Sequence, residues 1–194
     1  MSVYMRGNLC DLHVRLHEGG EIGPYTIAIM SQDTTKFMLT GSHPMRWIDT
    51  KAVWDRERAA GDVLFSIWMD GPTAGGCEHS LAGKCYECSR KFIGICGLHG
   101  LRDIYHSAEL RILIFDKDAI GKGIGTEACR MLVQYGFERL NLHRIHLGVN
   151  ADNKLAVNCY KKVGFKQEGR QREAIYYHGK YADVIQMGVL RSEW

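Results

Sequence analysis

Seven stretches of the chain alternate or cluster apolar residues with the short period of a strand, and three carry the longer period of a helix. "CDLHVRL" places Leu12, Val14 and Leu16 on one side and polar residues on the other, which predicts a half-buried strand. Residues 21 to about 60 read as mostly helical. Their amphipathic part, "MRWIDTKAVWDRERAA", is expected to stop at Gly61. "DVLFSIWMD", "KFIGICGLH" and "SAELRILIF" follow as strands, rich in β-branched and aromatic residues. "TEACRMLVQYGFERL" carries Met131, Leu132, Tyr135 and Leu140 on helical spacing. "HRIHLGVN" sets Ile145, Leu147 and Val149 on one strand face. "NKLAVNCYKKV" predicts a short helix capped by Gly164. "GFKQEGRQREAIYY" and "YADVIQMGVL" predict two closing strands joined by a turn at His178-Gly179. Strand, helices, three strands, helix, strand, helix and two strands describe a mixed α/β (α+β) sheet with helices on its faces.

One segment breaks the pattern. Residues 71–90, "GPTAGGCEHSLAGKCYECSR", are glycine-rich and far longer than an ordinary hairpin loop of ~2–5 residues. They read as an insertion into a single domain spanning 1–194. Within it, "CEHSLAGKCYEC" brings Cys77, His79, Cys85 and Cys88 together, and Cys85-x-x-Cys88 has zinc-knuckle spacing. The alternatives are a structural zinc site and a glycine-rich hairpin with reduced thiols. Cys96-x-x-His99 is a poorer second pair, because residues three apart in a strand point to opposite faces.

Composition narrows the function. With 194 residues, 45% hydrophobic, there is enough chain for one sizeable core. A net charge of +3 without a basic run gives no case for a nucleic-acid partner. No stretch approaches the ~18 apolar residues of a membrane span, and "MSVYMRGNLCDLHVRLHEGG" has no apolar signal core. The expectation is a cytoplasmic protein without a membrane partner. Seven cysteines, an odd count, fit thiols or metal ligands better than a disulfide framework.

The candidate chemistry centres on "GKGIGTEA", residues 121–128. A glycine loop opening a helix presents bare backbone N–H groups to a phosphate. Gly123, Gly125 and Ala128 fit the dinucleotide pattern G-x-G-x-x-A, with Asp152 about twenty residues on. However, several antiparallel-looking strands precede the loop and fewer than seventy residues follow it, unlike a repeating βαβ array. Gly123 after Gly121-Lys122 also rules out a Walker A loop, which needs Ser or Thr there.

From "SAELRILIF" through "IGKGIG" and "HRIHLGV" to "NADNKLAVNCYKKVGF", the chain resembles the GNAT superfamily of acetyl-CoA-dependent N-acetyltransferases. Its ending, "EGRQREAIYYHGKYADVIQMGVL", is similar to the RimJ/RimL-type branch. The resemblance covers residues 92–190 best and omits the insertion. It implies a mostly antiparallel central sheet with helices on both faces. It also implies a splay between the fourth and fifth expected strands, "SAELRILIF" and "HRIHLGVN", where pantetheine lies against backbone near Leu113, Ile114 and Phe115. The pyrophosphate would rest on Gly121, Lys122, Gly123, Ile124, Gly125 and Thr126. Ile120 departs from the Arg or Gln that usually opens this loop.

By the same resemblance, Tyr160 protonates the departing thiolate and Asn153 bonds the cofactor arm. Each has a plainer alternative: a packing tyrosine, and a helix N-cap. The position of the glutamate base in some relatives is Gly148 here. Glu109 is the best remaining carboxylate, and it could equally be a same-face partner of Arg111; a water could also carry the proton, and His99 and His106 are lesser candidates. The implied reaction is acetyl transfer to a primary amine: a small amine, an amino sugar or nucleotide-sugar, an antibiotic amine or a protein N-terminus. The alternative is a non-catalytic acetyl-CoA-binding module. The closing strands make a homodimer reasonable.

Overall fold

The computed structural model describes residues 4–8, 10–13, 61–70, 90–102, 104–177 and 179–194. The strands are β1 (Tyr4–Arg6), β2 (Asp11–His13), β3 (Val63–Asp70), β4 (Arg90–Arg102), β5 (Ser107–Ile114), β6 (Arg144–Asn150), β7 (Lys166–Tyr177) and β8 (Lys180–Leu190). Two α-helices are described, α1 (Ile124–Glu138) and α2 (Lys154–Val163). The expected helices of 21–60 and the insertion up to residue 89, with Cys77, His79, Cys85 and Cys88, lie outside the described residues.

The strands form one sheet in the order β1-β2-β3-β4-β5-β6-β8-β7. Every neighbouring pair is antiparallel except β5 and β6. That pair runs parallel for three rungs, Ser107 with Arg144, Ala108 with Ile145 and Glu109 with His146. Beyond them β5 continues to Ile114 and β6 to Asn150 with no further rung, so the sheet opens. This is the expected splay, found between β5 and β6 because the short β1 precedes the strands read from the sequence.

Apolar alternation packs the sheet on α1. Ile145, Leu147 and Val149 of β6 are buried, as are Leu98 of β4 and Leu110 of β5. Helix α1 buries Ile124, Ala128, Cys129, Leu132, Val133, Gly136 and Phe137, a stripe with three- and four-residue steps. Each fully buried Leu, Ile or Phe contributes roughly 1.5–3 kcal/mol, so this seam dominates the stability of the described core. Helix α2 lies against α1 and ends at Gly164, whose φ of 107° is open to glycine at little cost. Its N–H closes the helix on Lys161 and Tyr160 carbonyls.

The two closing strands form a bent hairpin. Register shifts interrupt β7 between Gln167 and Gly169 and again between Gln171 and Ile175. In the second, Glu173 takes φ 50° and donates its N–H to Asp183 Oδ1 at 2.8 Å, while Arg170 Nε donates to Oδ2 at 2.6 Å. Such bulges re-aim the residues beside them. Here Ala174 and Ile175 are brought to the open face of the sheet.

Candidate active site

Three elements meet where the sheet opens. At the end of β5, Phe115 N–H donates to Ile93 O at 3.1 Å. Bonded pairs alternate along an antiparallel ladder. Leu113 and Phe115 therefore direct their backbone groups to β4, and Ile112 and Ile114 direct theirs into the gap. The chain then turns through a 3₁₀ segment, Lys117–Ala119, that Asp116 caps by accepting from Asp118 N at 2.9 Å. Lys91 pairs with Asp116 and ties the turn back to β4.

The glycine loop follows. Gly121 and Gly123 have φ of 81° and 88°, left-handed values that L side chains rarely adopt. Gly123 is the N-cap of α1, and no side chain caps this helix. Its first N–H groups therefore face outward with the positive end of the helix dipole behind them. Gly121, Lys122 and Gly123 are exposed, Ile124 is buried, and Gly125 and Thr126 are half-buried. A Cβ on Gly125 would stand 3.4 Å from Ile114 Cδ1 and 3.8 Å from Cys159 Sγ. The loop, the gap-facing end of β5 and α2 thus converge on one point.

Helix α2 supplies Asn153, Cys159 and Tyr160. Asn153 is the N-cap, its Oδ1 accepting from Ala156 N at 3.1 Å. That is the plainer of its two expected roles, and the side-chain NH2 remains as a donor for a ligand. Tyr160 is 8% exposed, its ring edge-on to Phe165 at 5.9 Å. Burial, and then the Cys129 and Cys159 sulfurs, push its hydroxyl well above the ordinary tyrosine range, so it stays protonated at neutral pH. The sequence reading passed over Cys159. Its Sγ accepts from Thr126 Oγ1 at 3.4 Å. Hydrogen bonding from Cys129 brings its thiol down to about 7 against the opposing effect of burial, with further help from Thr126, Lys162 and Arg130.

On the face away from α1, the end of the parallel pairing opens into two clefts. One of about 470 Å³ is lined by Asp62, His99, Tyr105, Ser107, Glu109, Arg111 and His146. A second of about 280 Å³ shares Glu109 and His146 and adds Gly148, Gln171, Ile175 and Gln186. Glu109 Oε2 accepts from Arg111 Nε at 3.1 Å and Nη2 at 2.7 Å, the same-face pairing expected as one alternative. His99 Nδ1 lies 3.1 Å from Asp62 Oδ2 and its ring is buried. His106 is exposed in the turn between β4 and β5 with φ 46°.

His146 is the residue that the sequence reading missed. Its Nδ1 is buried with no hydrogen-bond partner among the described residues. Burial, then Arg144, lower its proton affinity, while Glu109, Glu168 and the Ala108 backbone oppose them; the outcome lies below the usual histidine range. The available signal was strand alternation: with Ile145, Leu147 and Val149 inward, His146 and Gly148 must face outward.

Among the described residues no three His, Cys, Asp or Glu side chains are grouped to hold a metal, and no helix is long and apolar enough to cross a membrane.

Comparison with known proteins places this geometry. YdaF of Bacillus subtilis (strain 168), provisionally named a ribosomal N-acetyltransferase, is 34% identical over 113 residues, 58% of this chain and 60% of its own. Spermidine N(1)-acetyltransferase of Escherichia coli (strain K12) is 31% identical over 108 residues, 56% and 58% of the two chains. The chain thus spans about three-fifths of the length of the curated relatives it matches. The fold is shared with spermidine N-acetyltransferase from Vibrio cholerae, solved in complex with CoA and spermine. The TM-score is 0.77 at 23% identity, over 96% of this chain and 98% of that one. The model of the acetyltransferase (GNAT) domain matches residues 12–166, most of the chain, and the chain belongs to that family.

Proposed function

We propose that this protein transfers the acetyl group of acetyl-CoA to a primary amine. The observation that carries the reading is the convergence at Gly125, where the uncapped start of α1, the gap-facing Ile114 and the Cys159-Tyr160 turn of α2 come together. The residues fit the cosubstrate. Bare N–H groups over 121–126 suit a pyrophosphate. The Ile112 and Ile114 backbones suit pantetheine amides, which would add to β5 as a strand does. Asn153 has an amide donor left for the cofactor arm.

In the reaction the amine nitrogen attacks the thioester carbonyl, the C–N bond forms and the C–S bond breaks. Tyr160 supplies the proton for the departing thiolate, and Glu109 is the carboxylate that borders the cleft where the amine must lose its proton. Holding both reactants in one gap supplies a large part of the rate.

The names of the relatives above point to two acceptor types, spermidine and a ribosomal acceptor. Carboxylates at Asp62 and Glu109 in the larger cleft favour a cationic acceptor. The test is release of CoA thiol from acetyl-CoA over a panel of polyamines, amino sugars, nucleotide amino sugars, aminoglycosides and peptides with free N-termini. Acetyl-CoA binding without transfer to any of them would leave the non-catalytic binding module.

Self-association belongs to the same reading, supported by the dodecameric Vibrio cholerae spermidine N-acetyltransferase. So does the exposed Tyr176–Tyr181 pair on the closing hairpin. A cytoplasmic location is the corresponding proposal for the site of action. The zinc reading of Cys77, His79, Cys85 and Cys88 rests on their spacing; elemental analysis of chelator-free protein tests it, one equivalent supporting the site and less than a tenth removing it.

A further inference from the structure

The rung at which β5 and β6 part company carries Glu109 on one strand and His146 on the other. Both side chains face the side of the sheet away from the apolar seam under α1, and both line the two clefts that meet there. The next outward position on β6 is Gly148, which puts no side chain beside the imidazole. His146 Nδ1 is buried and has no hydrogen-bond partner among the described residues. A buried polar atom without a partner costs stability and calls for an explanation. Glu109 differs: Arg111 holds its Oε2 through two donors.

We propose that His146 is the general base of the acetyl transfer, taking the proton from the acceptor amine, and that Glu109 is a positioning residue beside the imidazolium that forms. This rests on the acetyl-transfer reading above. The amine arrives as an ammonium ion near neutral pH. His146 takes one proton on Nε2, the ring nitrogen that is not buried, and the freed lone pair of the amine forms the bond to the carbonyl carbon. The C–S bond breaks, its electron pair leaves on sulfur, and the Tyr160 hydroxyl protonates that sulfur. The second proton leaving nitrogen restores Tyr160, and the proton on His146 passes to solvent. One acetyl group moves and one proton is released per turnover.

The charged and titratable groups around the ring come from every neighbouring strand: Arg144 on β6, Glu109 and Arg111 on β5, Glu168 on β7, and His99 with Asp62 across the larger cleft. Burial and Arg144 together outweigh the carboxylates and keep the ring neutral at pH 7, the form that accepts a proton. Glu168, paired with Arg144, is the more distant carboxylate partner in the same chain of charges.

The test compares wild type with His146→Gln and Glu109→Gln in kcat and kcat/KM from about pH 6 to 10, with acetyl-CoA affinity measured by calorimetry in parallel. His146→Gln is expected to lower kcat about 10²-fold near pH 7 while acetyl-CoA affinity holds. The deficit should shrink as pH rises toward the amine's own pKa of ~10, where solvent does the deprotonation. Added imidazole should restore part of the rate to His146→Ala. Glu109→Gln should lose less, about tenfold, and should shift the alkaline-rising limb of the profile to lower pH, because the imidazolium loses a neighbouring carboxylate. If His146→Gln does not fold, His146→Asn carries the same comparison. A kcat within threefold of wild type at every pH overturns the base role and leaves the acetyl-transfer reading standing. A loss of equal size at all pH values that imidazole does not relieve makes His146 structural and also overturns it. A wild type that transfers acetyl to no amine overturns both readings.

Discussion

Glu109 and His146 occupy opposite positions on the last rung that joins β5 to β6. They sit at the apex of the opening in the sheet, and both border the two clefts on the face away from α1. Behind them the strands are held by the apolar seam against α1; ahead of them neither strand has a pairing partner in the gap. The apex is therefore rigid on one side and open on the other, which is where a reacting group is best held. A second clamp braces it. Arg144, two residues before His146, pairs with Glu168 of β7, and a Cβ on Gly188 would press into that pair, 2.5 Å from Glu168 Oε1 and 2.8 Å from Arg144 Nη1.

Gly123→Val should weaken acetyl-CoA binding at least tenfold. The substitution places a β-branched side chain at φ 88° and crowds the backbone N–H groups that start α1. Strain alone would cost ~1–2 kcal/mol, so a matched control is needed. Gly179→Val supplies it, since Gly179 has φ 78° with open space around it and lies in the turn between β7 and β8. Calorimetry should show the affinity lost in the first variant and kept in the second. Equal affinity in both, with circular dichroism unchanged, would move the pyrophosphate away from 121–126.

Tyr160→Phe should lower kcat by ~10²-fold or more and leave acetyl-CoA affinity nearly unchanged. The ring keeps its edge contact with Phe165, so only the proton donor is removed. Folding raises the Tyr160 pKa, so the neutral hydroxyl is the favoured form across the neutral range. The deficit should therefore be flat from about pH 6 to 9 in a steady-state profile. Weaker binding with unchanged turnover would make Tyr160 a packing residue.

Local chemistry made much of this arrangement legible in the sequence. Gly164 announced the end of α2 because a helix cap favours left-handed backbone, and the helix read from Thr126 after the glycine loop starts at Ile124, just past Gly123. The periods that include Leu132, Ile145 and Leu147 identified faces that are buried, while Met131, Tyr135 and Leu140 are only partly buried. What stayed hidden depends on distance. Whether His146 meets Glu109 is decided by the register of two parallel strands whose paired residues lie 37 apart in the sequence, which no local pattern encodes. Cys129 and Cys159 come together only through the packing of α1 on α2. The bulge at Glu173 has no glycine to mark it, because Asp183 captures the N–H that the bulge releases. β1 is only three residues long, too short for alternation to register.

Gly136→Val should destabilise the fold by about 1–3 kcal/mol, the usual cost of overpacking a core. A Cβ at Gly136 would lie 2.8 Å from Ile145 Cδ1, 3.1 Å from Leu98 Cδ1 and 3.2 Å from Leu142 Cδ1. Gly136→Ala has an offsetting term, since Ala gains up to ~1 kcal/mol over Gly in a helix interior. The milder variant should therefore stay within about 1 kcal/mol of wild type. Urea unfolding monitored by tryptophan fluorescence separates the two. A Gly136→Val protein as stable as wild type would mean that the seam is looser than these distances indicate.

Cys159 should be the first of the described cysteines to react with iodoacetamide, with a rate midpoint near pH 7. Cys10, Cys96 and Cys129 are buried, and burial raises the Cys96 thiol, while Cys129 is raised first by its hydrogen bond to Cys159. Cys159 is half-buried, so the reagent can reach it. Because Thr126 Oγ1 donates to the sulfur, Thr126→Val should move the midpoint upward. The depressed thiol also couples pH to stability. The folded value of about 7 lies below the ordinary 9.0, so the contribution is full above pH 9 and fades as pH falls through 7. Bound acetyl-CoA should slow the labelling, since Cys159 Sγ lies beside Gly125, within ordinary contact distance of a side chain placed there. Mass-spectrometric mapping of the alkylated peptide across pH, with and without acetyl-CoA, measures all three effects. Labelling of Cys129 before Cys159 would place the lowered thiol on Cys129 instead, and a midpoint unchanged by Thr126→Val would remove the Thr126 hydrogen bond as one of its causes.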